Sequence, residues 1–80
     1  MTVNEMIKIA KQNNFNCVVF FFEKTNTLCI RLSQEPYKIE KMISVEEIYS
    51  CNLDIVSYEF SRLIEKFKKL VGDDNAEEKE

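Results

Sequence analysis

The 80-residue sequence contains no histidine, one glycine and one proline. Without histidine it lacks the side chain that most often serves as a general base or a transition-metal ligand near neutral pH. A single glycine excludes the glycine-rich loops that bind nucleotide phosphates. The sequence therefore predicts a protein that is not an enzyme, that needs no metal or cofactor, and that has no small-molecule substrate site.

The three cysteines, Cys17, Cys29 and Cys51, are an odd number and include no C-x-x-C pair. They would complete a four-ligand zinc site only with a carboxylate or a second chain, so we expect free thiols in a reducing compartment. No apolar run approaches the ~18 residues of a membrane helix, and the N-terminus shows no signal-peptide pattern. These features predict a soluble, cytoplasmic protein.

The negative charge of the chain is concentrated at its C-terminus. The last eight residues hold five of the 14 acidic residues and one of the 11 basic residues. The net charge of −3 for the whole chain therefore becomes +1 for residues 1–72. We interpret residues 1–72 as a single α+β domain and residues 73–80 as an acidic, disordered tail that aids solubility rather than binding.

Two capping boxes mark the predicted helices. Thr2–Glu5 is followed by apolar residues at helical spacing, which predicts a helix over residues 3–13. Ser44–Glu47 begins a short helical turn, which Asn52-Leu53-Asp54 interrupts or re-caps, and a long helix follows over residues 54–71. We expect the long helix to end at Gly72 in a left-handed cap.

Three strands are predicted between the helices, over residues 15–23, 27–33 and 37–43. The second strand alternates apolar and polar side chains, as a strand in a sheet with one solvated face does. Lys24–Asn26 suits a three-residue hairpin loop, in which Asn26 tolerates a positive φ. The predicted fold is α-β-β-β-α, a three-stranded antiparallel sheet with two helices packed on one face.

The first strand is apolar on both of its faces, which is unusual in so small a chain. A three-residue loop pairs Phe22 with Leu28, Phe20 with Ile30 and Val18 with Leu32. It directs these side chains into the core. The opposite face would then expose an apolar surface, for which we expect a protein partner. Its residues are Phe15, Cys17, Val19 and Phe21. The alternatives are a different strand register or a loop that covers these side chains.

The long helix contributes two further candidate surfaces. Eighteen residues of helix span ~27 Å, whereas three strands span about 10 Å, so the last turns should overhang the sheet. The apolar side chains there would pack on the first helix or on a second subunit, and they are Phe67, Leu70 and Val71. The basic side chains of this helix are candidates for nucleic-acid contact, and they are Arg62, Lys66, Lys68 and Lys69.

The start of the chain, Met1–Ile7, its bias towards lysine, asparagine, isoleucine and glutamate, and its acidic tail resemble small accessory proteins of phages of low-GC Gram-positive bacteria. Within that group the α-β-β-β-α order is similar to small anti-CRISPR proteins, whose start resembles residues 1–11 and whose second strand resembles Ile30-Arg31. The resemblance implies a bacterial host cell and inhibition of a host defence nuclease. Those inhibitors are strongly acidic DNA mimics, whereas residues 1–72 are nearly neutral, and no functional residue is carried over.

The leading hypothesis is a non-enzymatic phage or prophage protein that acts by protein–protein contact, as a homodimer or with a host or phage protein. One alternative is a nucleic-acid accessory protein that uses the basic helix, and another is an inhibitor of a host defence nuclease. Salt-sensitive binding would identify the nucleic-acid alternative, because phosphate contacts release counterions.

Overall fold

The computed structural model describes residues 2–51 and 54–78, with side chains described as far as residue 72. Its strands form one antiparallel sheet in the order β1-β2-β3, and the helices pack on one face, which confirms the predicted α-β-β-β-α fold. The elements are α1 (Val3–Gln12), β1 (Asn16–Phe22), β2 (Thr27–Gln34), β3 (Tyr37–Ser44), α2 (Val45–Ser50) and α3 (Ile55–Glu78).

Both predicted capping boxes begin a helix. The Thr2 hydroxyl accepts a hydrogen bond from the Glu5 amide at 3.2 Å, at the start of α1. The Ser44 hydroxyl accepts one from the Glu47 amide at 3.2 Å, at the start of α2. Each hydroxyl satisfies an amide of the first turn that has no partner within the helix. Asn14, at φ 63°, then reverses the chain between α1 and β1.

Asp54 begins α3 in the same way. Its carboxylate accepts hydrogen bonds from the Ser57 hydroxyl at 2.6 Å and from the Ser57 amide at 3.0 Å. Because these bonds favour the charged form, they lower the pKa of Asp54 from 3.8 to about 2. Asn52 and Leu53, predicted to interrupt the helix together with Asp54, lie outside the described residues.

The register between β1 and β2 differs from the prediction by one residue. The loop is a four-residue β-turn over Glu23–Asn26, closed by the amide of Asn26 and the carbonyl of Glu23 at 3.3 Å. Asn26 has a positive φ of 52°, as predicted. The strands therefore pair Phe22 with Thr27 and Phe21 with Leu28. Because side chains alternate along a strand, this one-residue shift exchanges the two faces of β1.

The core lies between the sheet and the helices. Phe15 and Phe67 meet at its centre, with ring centroids 4.7 Å apart and an interplanar angle of 65°. This edge-to-face arrangement is favourable for aromatic pairs. The buried apolar residues of this cluster are Met6, Ala10, Phe15, Ile30, Leu32, Ile43, Phe60, Leu63, Ile64, Phe67 and Val71.

Helix α3 continues beyond the predicted end. Gly72 adopts no left-handed conformation, and the helix runs through it to Glu78, so the prediction that the helix ends at Gly72 is wrong. One glycine in a helix costs only about 1 kcal/mol, and the strong helix formers Ala76, Glu77 and Glu78 follow. Residues 73–78 thus continue the helix where the sequence predicted a disordered tail. The division into a domain and a solubilising tail stays a prediction.

Candidate protein-interaction site

The sheet has an inner face, which packs on the helices, and an outer face whose side chains are absent from the core cluster. Four apolar side chains form what we call the outer patch: Val18, Phe20, Phe22 and Met42. Three of them are substantially exposed, at 50% for Val18, 39% for Phe22 and 53% for Met42. Apolar patches that a small protein exposes at its surface are often functional.

Cys29 lies beneath the outer patch on the central strand. Its neighbours across the sheet are Phe20 on β1 and Met42 on β3, and it is fully buried. Burial raises the pKa of the Cys29 thiol, and the hydrogen bond that the thiol donates to the Glu40 carboxylate, with sulfur and oxygen 3.5 Å apart, raises it further. The thiol therefore fills space as a small apolar group and is a poor nucleophile.

Arg31 and Glu40 form the polar border of the outer patch. The Arg31 guanidinium lies 3.3 Å from the Glu40 carboxylate and 5.1 Å above the centroid of the Phe20 ring. The Phe20 ring also meets Phe22 edge to face, with centroids 5.0 Å apart. These contacts hold the aromatic side chains of the outer patch in fixed positions and neutralise the nearest charges.

The residues predicted to form an exposed face of β1 lie on its inner face instead. Phe15 is buried against Phe67, and Cys17 and Val19 pack against the core. Burial raises the pKa of the Cys17 thiol. Only Phe21 remains exposed, at 48%. The predicted placement is wrong because the loop has four residues rather than three, which exchanges the faces of the strand.

The exposed apolar residues that the sequence reasoning missed are Val18, Phe22 and Met42. Met42 lies on the outer face of β3 and is 53% exposed, and the sequence had indicated no role for it. Val18, Phe20 and Phe22 were predicted in the core from a three-residue loop, which is wrong, because the observed register places them on the outer face. A four-residue turn, if assumed from the sequence, would have predicted that these side chains lie on the outer face, because it places Phe15 inside next to α1.

The predicted contact surface on α3 is divided by the structure. Phe67 and Val71 belong to the core, so they are not available for a partner. Phe67 does not overhang the sheet because its ring packs on Phe15, at the junction between α1 and β1. Leu70 lies on another side of the helix and is 43% exposed.

The predicted basic surface is also divided. Arg62, Lys66 and Lys69 line a groove of about 640 Å³ between β3 and α3. Lys68 instead pairs with Glu65 at 3.4 Å. The charged side chains of the groove also include Lys41 and three acidic residues, namely Glu40, Glu59 and Glu65. Its charges are therefore nearly balanced.

Two contacts reduce the positive charge that the groove offers to a ligand. The Lys41 ammonium lies 3.2 Å from the Glu59 carboxylate and joins β3 to α3. The Arg62 guanidinium lies 5.7 Å from the centroid of the Tyr58 ring. A strong nucleic-acid site presents a basic surface, whereas this groove has mixed charge.

Among the residues that the structure describes, no three histidine, cysteine or acidic side chains are grouped to hold a metal ion. Over the same residues, no helix has both the length and the apolar character to cross a membrane. No known protein family, curated protein or solved structure matches the chain. The site must therefore be interpreted from its own geometry and chemistry.

Proposed function

We propose that the chain acts by protein–protein contact rather than by catalysis, and that it associates with a second copy of itself through the exposed apolar surface around β1. The observation that carries this proposal is the outer patch, whose Val18 and Phe22 lie on an edge strand. Resemblance to phage accessory proteins supports a role in the cytoplasm of a bacterial host cell.

A second copy is the occupant that the chemistry of β1 favours. A two-fold symmetric interface brings the same surface of both subunits together, so like charges in that surface would repel. The strand Asn16–Phe22 contains no charged residue. An uncharged apolar surface is complementary to itself, and burying it on association releases free energy in proportion to its area.

The area also sets the expected strength of association. The exposed apolar side chains of β1 are few, so their contact buries less than the ~1,200 Å² of stable interfaces. The proposal therefore predicts a weak, reversible dimer in the micromolar range. Such a dimer would expose its contact surface to a host or phage protein when it dissociates.

Nucleic-acid binding and nuclease inhibition stay predictions from the sequence. The groove that holds Arg62, Lys66 and Lys69 has nearly balanced charge, which does not favour the first of these functions. The nuclease inhibitors that the chain resembles are strongly acidic, whereas residues 1–72 are nearly neutral, which does not favour the second.

Sedimentation equilibrium on two matched variants tests the proposal. Val18→Lys places a charge on the contact surface, and Leu70→Lys places the same charge on a comparably exposed side chain of α3. We expect Val18→Lys to raise the dimer dissociation constant at least about tenfold, or ~1.4 kcal/mol, with an unchanged circular-dichroism spectrum. Leu70→Lys should leave it unchanged. The reverse result would move the interface to α3, and a monomeric wild type would refute self-association.

A further inference from the structure

The two edges of the sheet differ in the features that prevent strand pairing. β3 carries Lys38, Glu40 and Lys41, and Lys41 is also bound to Glu59 of α3. Charged side chains on an edge strand discourage the addition of another strand. β1, the opposite edge, has the sequence NCVVFFF and contains no charge, proline or glycine. It therefore lacks the protection that β3 has.

The backbone of β1 is free to accept a further strand. In an antiparallel pair, alternate residues direct their N–H and C=O groups away from the neighbouring strand. Of the described turn, loop and cap hydrogen bonds, none is made by the backbone of residues 16–22. The free side of β1 thus presents a row of donors and acceptors between apolar side chains.

We propose that β1 pairs antiparallel with β1 of a second copy and forms a continuous six-stranded sheet across a two-fold axis. This inference rests on the proposed self-association and specifies the strand that mediates it. Strand addition at a sheet edge obtains its affinity from backbone hydrogen bonds and its specificity from alternating side chains. β1 of a second copy supplies both the backbone hydrogen bonds and the alternating side chains.

The exposed side chains indicate the register of the pairing. With the two-fold axis at Phe20, Val18 lies opposite Phe22 of the partner subunit on the outer face. On the inner face Val19 lies opposite Phe21 of the partner subunit. Each exposed apolar side chain of β1 then gains an apolar neighbour across the strands, a contact that stabilises sheets.

This arrangement brings together only the β1 side chains of the two outer patches. Val18 and Phe20 of both subunits become adjacent at the centre of the six-stranded sheet, whereas Met42 lies on β3, two strands away from the new contact. Face-to-face packing of two sheets would instead cover Met42, because it stands on the outer face. Met42 therefore distinguishes the two ways in which the chain can associate.

Residue-resolved amide hydrogen exchange on the wild-type chain tests the inference. Spectra are compared at concentrations well below and well above the dimer dissociation constant. We expect the amides of alternate β1 residues, those directed away from β2, to exchange at least tenfold more slowly in the dimer. The edge amides of β3 should exchange at the same rate at both concentrations. Met42→Lys should change the dissociation constant less than twofold.

The outcomes separate the two proposals. A chain that is monomeric at every concentration refutes self-association and the strand pairing with it. A dimer whose β1 amides exchange as fast as those of the monomer overturns the strand pairing and leaves self-association standing. Loss of the dimer in Met42→Lys would likewise overturn strand pairing in favour of face-to-face packing.

Discussion

Replacing Phe67 with alanine should destabilise the fold strongly, because Phe67 packs against Phe15 at the centre of the core. The same contact fixes which face of β1 points inward. Phe67 is fully buried, and its ring meets Phe15 edge to face at 4.7 Å. Removing a buried phenylalanine side chain costs 3–5 kcal/mol. A chain of 80 residues has a total stability of about 4–12 kcal/mol, so the variant loses a large share of it.

The assay is urea denaturation followed by circular dichroism, at a concentration where the chain is monomeric. If Phe67→Ala does not fold, Phe67→Leu keeps an apolar side chain and loses chiefly the ring pair, about 0.5–1.5 kcal/mol. Phe21→Ala is the matched control, since its half-exposed ring should contribute only about 1 kcal/mol.

A double-mutant cycle joins this prediction to the strand register. Phe15→Ala and Phe67→Ala should show a coupling free energy of about 0.5–1.5 kcal/mol, because the two rings touch. If Phe67→Ala costs less than Phe21→Ala, or if the coupling is zero, Phe15 is not in the core. The outward-facing placement of Phe15 predicted from the sequence would then be correct.

Two further predictions concern the cap of α3 and the thiol beneath the outer patch. The pKa of Asp54 is lowered from 3.8 to about 2, so its stabilising contribution is complete above about pH 4 and is lost as the pH falls through 2. The acid limb of a stability–pH curve should therefore be flatter in Asp54→Asn than in the wild type, and identical curves would contradict the capping role. Cys29 should resist iodoacetamide in the folded chain and react after unfolding, because its thiol is buried and its pKa raised. Rapid modification of Cys29 in native protein, detected by peptide mass spectrometry, would contradict its position in the sheet.

The parts of the fold with local signals were predictable from the sequence. Thr2 and Ser44 are hydroxyl caps with a glutamate three residues later, and each begins a helix as expected. The alternation of β2, with Ile30 and Leu32 inward and Arg31 outward, also agrees with the structure. These features depend on residues that are close together in the sequence, so the local sequence is enough to predict them.

The candidate site was not predictable, because it depends on a single residue of loop length. Strand β1 carries apolar side chains on both faces, so the hydrophobic pattern does not specify which face packs on the core. The turn at Glu23–Asn26 makes that choice, and three-residue and four-residue loops both suit its sequence. The helix end predicted at Gly72 was wrong for a related reason, because the position at which a helix ends depends on tertiary context as well as on the residue.

If the apolar surface around β1 associates two copies of the chain, the mass of the protein in solution must depend on its concentration. Solution mass by light scattering on a sizing column, from low to high micromolar concentration and with reducing agent present, tests it most directly. We expect a mass that rises with concentration from that of the 9.5 kDa monomer towards twice this value. A constant monomer mass over the whole range would contradict it.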